Sequence, residues 1–160
     1  MDETLESRVG TALRARGWTV ALAESCTGGL VGHRLTQVPG SSEYFLGGVV
    51  AYAYDSKERL LGVRHQTLYD HGAVSRETAI EMAHGARVAF GADLGLSVTG
   101  IAGPAGGMPD KPVGLSWIAV STRTGDLAEH VRGHGDRTAN KESAAEAALD
   151  LLLRVIAQQP

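Results

Sequence analysis

The chain has 160 residues, one cysteine, 43% hydrophobic residues and a net charge of −3 at pH 7. That length suits a single domain over residues 1–160 with a real core, and an acidic balance without a Lys/Arg cluster excludes a dedicated nucleic-acid binder. Cys26 alone excludes an intramolecular disulfide framework and fits a reducing, cytoplasmic setting; no apolar run nears a membrane helix of roughly 20 residues, and the acidic start Met1-Asp-Glu-Thr-Leu-Glu6 is unlike a signal peptide.

Leu5, Val9 and Leu13 recur at helical spacing, so the first helix is expected over 3–16, ending at Gly17. An apolar run over 18–24 reads as a buried strand, and Leu30, Val31 and Leu35 suit a helix over 27–37, stopped before Pro39. Residues 45–54 read as a second strand with two glycines in it. Asp55 stands where it would cap a short helix, with Glu58 in the capping-box position. Ser75 should cap the next helix, which turns Ala79, Met82, Ala83, Ala86 and Phe90 to one face. A third strand over 92–99 runs into a glycine-rich loop over 100–114. Two strands, 115–121 and 127–131, are joined across Thr124-Gly125-Asp126, and a hairpin is the simplest link between them. The last helix, 137–157, carries Ala145, Ala148, Leu149, Leu152 and Ile156 at helical spacing. Alternating strands and helices imply an α/β fold: a three-layer α/β/α sandwich with a mixed, mostly parallel sheet.

Three segments carry chemistry, and chain order brings all of them to the carboxyl ends of strands, where ligands of open α/β sheets bind. Glu24-Ser25-Cys26-Thr27-Gly28-Gly29 places a hydroxyl and a thiol beside the free amides of an expected helix start, a place for a phosphate or oxyanion. Ser25 needs a base. No histidine lies in these segments, so Lys57, after the second strand, is the candidate, because a desolvated lysine can lose its proton near neutral pH. Tyr52 or Tyr54 would relay the proton or orient the amine. Ser25 also reads simply as a helix cap, Cys26 as a small buried residue, and the two tyrosines as ordinary strand residues.

The loop with Thr99, Gly100, Gly103, Gly106 and Gly107 matches no phosphate-binding fingerprint. A loop this long is costly to order unless it binds something. Arg137 is a further phosphate candidate. The six histidines are scattered and complete no ligand set, so no metal is expected.

Taken together, Ala23-Glu-Ser-Cys-Thr-Gly-Gly29, Gly47-Gly-Val-Val-Ala-Tyr52 with Lys57 and Leu61-Gly-Val63, Gly72-Ala-Val-Ser75, and Ser97-Val-Thr-Gly-Ile-Ala-Gly-Pro104 continuing to Lys111-Pro-Val-Gly114 resemble the CinA C-terminal domain family. The resemblance covers nearly the whole chain and implies the family's stand-alone form, whose members include nicotinamide-nucleotide amidohydrolases. It implies the same three-layer fold and a homo-oligomer. The implied reaction is hydrolysis of the carboxamide of nicotinamide mononucleotide to nicotinate mononucleotide and ammonia, a step of pyridine-nucleotide salvage. Neither cofactor nor metal is needed.

By the resemblance, Ser25 is the nucleophile, Lys57 its base and Tyr52 the nearby phenol. Thr27, Gly28, Gly29 and the loop with Thr99, Gly100, Gly103, Gly106 and Gly107 bind nucleotide and stabilise the oxyanion. Asn140-Lys141, following Arg137, departs from the family's hydrophobic-plus-arginine pair. Two alternatives stand beside this reading. One is a non-catalytic nucleotide-binding or interaction module linked to competence or DNA damage; the other is a serine amidase acting on another phosphorylated amide.

Overall fold

The structure is a computed structural model that describes residues 3–160. Helix α1 (Leu5–Arg16) starts where the Thr4 hydroxyl accepts from the Ser7 amide. Strand β1 (Val20–Glu24) is buried at every position. After a turn come helix α2 (Leu30–Thr36), one 3-10 turn (Ser41–Glu43) and strand β2 (Phe45–Val50). Helices α3 (Tyr54–Leu61), α4 (His65–His71) and α5 (Arg76–Phe90) follow in succession. Strand β3 (Leu94–Gly100) leads through the glycine loop to the hairpin of β4 (Leu115–Ser121) and β5 (Asp126–Arg132), and helix α6 (Arg137–Gln158) closes the chain.

The five strands form one sheet in the order β2-β1-β3-β4-β5. Strand β1 pairs in parallel with β2 and β3, while β4 lies antiparallel between β3 and β5. Only β4 therefore runs against the other four, and the sheet is mixed and mostly parallel as expected. Alternation along β1 sends Val20 and Leu22 into the core beneath α1, α2 and α6, and Ala21 and Ala23 into the core beneath α3, α4 and α5. The alanine face is thin, and the helices over it sit close. A Cβ on Gly95 would stand 2.0 Å from the Ala83 carbonyl oxygen, and one on Gly85 only 1.9 Å from that of Leu61. Backbone meets backbone from β3 through α5 to α3.

The boundaries differ from expectation in telling places. Helix α2 begins at Leu30 rather than Thr27, because Gly28 (φ 60°) and Gly29 (φ 106°) take left-handed conformations that no α-helix contains. The strand expected to reach residue 54 stops at Val50. Asp55 does not cap α3: Ala53 occupies that position without a side-chain bond, and Asp55 instead pairs with Arg59 at 2.9 Å. Helix α4 was not foreseen. Ser75 does cap α5, its hydroxyl accepting from the Thr78 amide.

Candidate active site

Strands β1, β2, β3 and β5 end at one edge of the sheet, and β4 begins there. Ser25, Tyr52 with Lys57, the 100–114 loop and Arg137 consequently share that edge.

Lys57 lies on the inner face of α3, only 1% exposed. Its Nζ is 3.0 Å from Ser25 Oγ, 2.8 Å from the Ala51 carbonyl oxygen and 3.4 Å from that of Tyr52. Among the described residues no carboxylate pairs with it: Asp55 is taken by Arg59, and Glu58 bonds His65. Burial without a counter-charge pulls the amine down to about 8, against a smaller opposing pull from the neighbouring Cys26 sulfur. A neutral amine has two N–H donors and one lone pair. The two carbonyls can take the donors, which leaves the lone pair for the Ser25 hydroxyl proton.

Ser25 is 8% exposed and does not act as the cap of α2, whose capping position is Gly29 with no side-chain bond. The amides at the start of that helix are not open to a ligand either. Glu24 Oε1 accepts from the Thr27 hydroxyl (2.6 Å), the Gly29 amide (3.2 Å) and the Val31 amide (3.0 Å), while Oε2 accepts from the Gly32 amide (3.0 Å). The anion expected there as a ligand is part of the chain. Thr27 is buried and spends its hydroxyl on Glu24, whereas Gly28 is exposed on the turn. The Cys26 and Thr27 amides, just beyond Ser25, make no hydrogen bond to another residue among the described residues. Cys26 itself is buried in the main core, and desolvation raises its thiol above the usual range.

Tyr52 touches Lys57 through its carbonyl, not its ring. Its phenol is 61% exposed and accepts from the Arg137 guanidinium at 3.0 Å. The Tyr54 hydroxyl accepts from the Ala73 amide, away from the lysine. Arg137 also donates to the Gly103 carbonyl at 2.7 Å, which ties the glycine loop to α6. Asn140, one turn nearly buried below it, donates to the Ala102 carbonyl and both donates to and accepts from Gly135.

The loop is therefore ordered by the protein. Ile101 and Leu115 are hydrogen-bonded, Met108 and Lys111 exchange two backbone bonds, and Gly100 packs under Ser116. Thr99 is buried and donates to the Ala73 carbonyl; Gly103 and Gly107 back onto Val113, and Gly106 faces Ile101. Two residues that the sequence reading missed belong to this edge. Glu24 was legible as a carboxylate directly before a glycine turn and a helix. Lys141, one turn after Arg137, brings its Nζ to 3.9 Å from where a Cβ on Gly28 would be, and it joins no ion pair among the described residues. A large open groove of about 960 Å³ between α2, α6 and β5 is lined by Arg34, Glu142 and Glu146 among others and includes neither Ser25 nor Lys57.

These observations define a class: a three-layer α/β domain holding a buried serine–lysine pair at the carboxyl ends of its parallel strands. The CinA C-terminal domain family matches residues 2–156, and the chain belongs to it. A CinA-like protein of Salinibacter ruber is 54% identical over 97% of this chain and 38% of its own length. A CinA-like protein of Geobacter sulfurreducens is 50% identical over 96% of this chain and 37% of its own. The chain thus spans little more than a third of these curated relatives. Among solved structures, a competence/damage inducible protein (CihA) from Agrobacterium tumefaciens superposes with a TM-score of 0.91 at 43% identity, covering 96% of this chain and 94% of that one. The competence damage-inducible protein A of Klebsiella pneumoniae gives 0.94 at 35% identity, with 98% and 97% covered.

Proposed function

We propose that this chain hydrolyses the carboxamide of nicotinamide mononucleotide, giving nicotinate mononucleotide and ammonia, with Ser25 as nucleophile and Lys57 as its base. The observation that carries the reading is the Lys57 amine, buried with no carboxylate partner among the described residues, drawn down to about 8 and 3.0 Å from Ser25 Oγ. A capping serine has no need of a desolvated lysine. A binding module would gain nothing from an amine kept near neutrality.

Lys57 takes the hydroxyl proton as Ser25 Oγ adds to the carboxamide carbon. The oxyanion is held by the amides next to the nucleophile, Cys26 and Thr27 being the ones that bond no other residue among the described residues. Protonated Lys57 then gives its proton to the departing nitrogen, the carbon–nitrogen bond breaks and ammonia leaves an acyl-serine ester. Water adds to the ester carbonyl and loses a proton to Lys57, which returns it to Ser25 Oγ as nicotinate mononucleotide leaves. The pyridinium charge of the substrate activates the carboxamide throughout, so two groups suffice for the proton traffic.

With Glu24 filling the start of α2, the substrate phosphate is best matched by Arg137, which reaches the loop at Gly103, and by Lys141, unpaired among the described residues and beside Gly28. Gly28 on the exposed turn and the exposed loop rim at Gly106 and Gly107 line the approach. Tyr52 links the two ends of the site: its carbonyl meets Lys57 and its phenol meets Arg137. The test is ammonia and nicotinate mononucleotide release by the purified, metal-free protein beside Ser25→Ala. Turnover lost in the variant supports the reading. Turnover kept in the variant removes Ser25 as nucleophile, and a folded wild type without turnover removes this substrate.

A further inference from the structure

We infer that Glu24 is a positioning residue for Ser25, an internal anion that fixes the nucleophile's turn against the sheet. The inference rests on the reading of Ser25 as nucleophile. Glu24 is the last residue of β1, in register with Val50 on one side and Val98 on the other. Its backbone is therefore held in the middle of the sheet. The Ala51 amide donates to its carbonyl oxygen at 2.9 Å, and the next residue, Ser25, donates its own amide to the Val98 carbonyl at 2.9 Å.

The near side of the turn is fixed by those bonds, and the far side is fixed by the Glu24 carboxylate. That carboxylate is 4% exposed and receives four donors, one hydroxyl and three amides, spread over Thr27, Gly29, Val31 and Gly32. No cation pairs with it among the described residues, so its charge is balanced by helix-end amides that lack intrahelical acceptors. A bond from the Gly28 amide to the Ser25 carbonyl, 3.0 Å, closes the ring. Ser25 thus rides on a loop whose two ends are tied to one residue. Residues 25–29 contain two left-handed glycines and have no helix or strand of their own to hold the hydroxyl 3.0 Å from Lys57. Removing the carboxylate leaves the Lys57 side of the pair intact and frees the Ser25 side.

The test compares Glu24→Gln, Glu24→Asp and Thr27→Val with the wild type. Gln keeps the shape but presents an NH₂ to one of the donors, Asp is too short to reach them all, and Val deletes only the hydroxyl bond. Three readouts are used: kcat and KM for nicotinamide mononucleotide, the rate at which a fluorophosphonate probe labels Ser25 (read by intact mass), and the melting midpoint. In folded Glu24→Gln and Glu24→Asp, kcat and labelling should fall about 10- to 100-fold, as expected for a misplaced reacting atom, with KM within about threefold. Thr27→Val should lose about three- to tenfold in the same two readouts.

A merely structural role would lower the melting midpoint and leave kcat and labelling of the folded protein unchanged. Folded Glu24→Gln with both rates within about twofold of wild type overturns the inference. Should neither Glu24 variant fold, Thr27→Val decides, and unchanged rates there overturn it. A wild type that labels at Ser25 but does not turn over the mononucleotide sinks the proposed substrate, while labelling still reads the role of Glu24. A wild type that does not label at Ser25 overturns both.

Discussion

Two glycine-rich loops follow parallel strands at the same edge of this sheet, and they are built in opposite ways. The turn at 25–29 is short and mostly buried, and the helix-end amides behind it converge on the carboxylate of Glu24. The loop at 100–114 is long and largely exposed, and its glycines mostly mark places where Val113, Leu115 or Ser116 packs against the backbone. It is held from outside, by Arg137 and Asn140 of α6. Neither loop is an anion cradle merely because it is rich in glycine. The first is a mount tied on both sides, which the proposed function makes the seat of a reacting hydroxyl, and the second is a rim whose position depends on another helix.

Substitutions should separate the mount from the rim. The largest effects belong to the mount's chemistry: Ser25→Ala and Lys57→Met should each cut ammonia release by about a thousandfold or more, since nucleophile and base act as a unit. A weaker loss in Lys57→Met than in Ser25→Ala would mean that another group takes the serine proton. Next comes pH. As the proposed base, Lys57 would act only when neutral, so with its amine at about 8 the rate should climb roughly tenfold per unit up to pH 7, bend near 8 and level above 9. A flat profile between pH 6 and 9 would remove Lys57 as the base.

Smaller effects belong to the rim. Arg137→Ala should raise KM about tenfold with a lesser change in kcat, and Lys141→Met should raise it a few-fold, because single phosphate contacts are charge-assisted hydrogen bonds near solvent. Steady-state kinetics in low and moderate salt checks both, and the difference should shrink as salt rises. Smallest for activity is Asn140→Ala. It removes a buried amide side chain with three hydrogen bonds and should cost about 1–3 kcal/mol of stability, seen in denaturant unfolding.

The sequence carried the architecture because its periodicities are local. The hairpin was expected at 115–121 and 127–131 and runs 115–121 and 126–132; the last helix was placed one residue short of its end. What periodicity cannot give is where amides and side chains spend their hydrogen bonds. Gly28 and Gly29 fall inside the helix expected over 27–37 and instead delay α2 until Leu30. Tyr52 was expected near the base through its phenol; it arrives through its carbonyl, a contact open to any residue at that position. The pairing of Arg137 with Gly103 and Tyr52 joins residues 34 and 85 positions apart, and no local pattern encodes it.

The close approach of α5 to its neighbours gives this site a hidden dependence. Gly85 has room for a hydrogen only, because the Leu61 carbonyl lies where a methyl group would begin. Leu61 is one helical turn beyond Lys57, so the depth at which α3 seats is set by a residue that touches nothing reactive. A single methyl at position 85 would lift the helix that carries the amine and widen its gap to the hydroxyl. The spacing of the candidate pair is therefore governed from beneath the sheet edge as much as from within it.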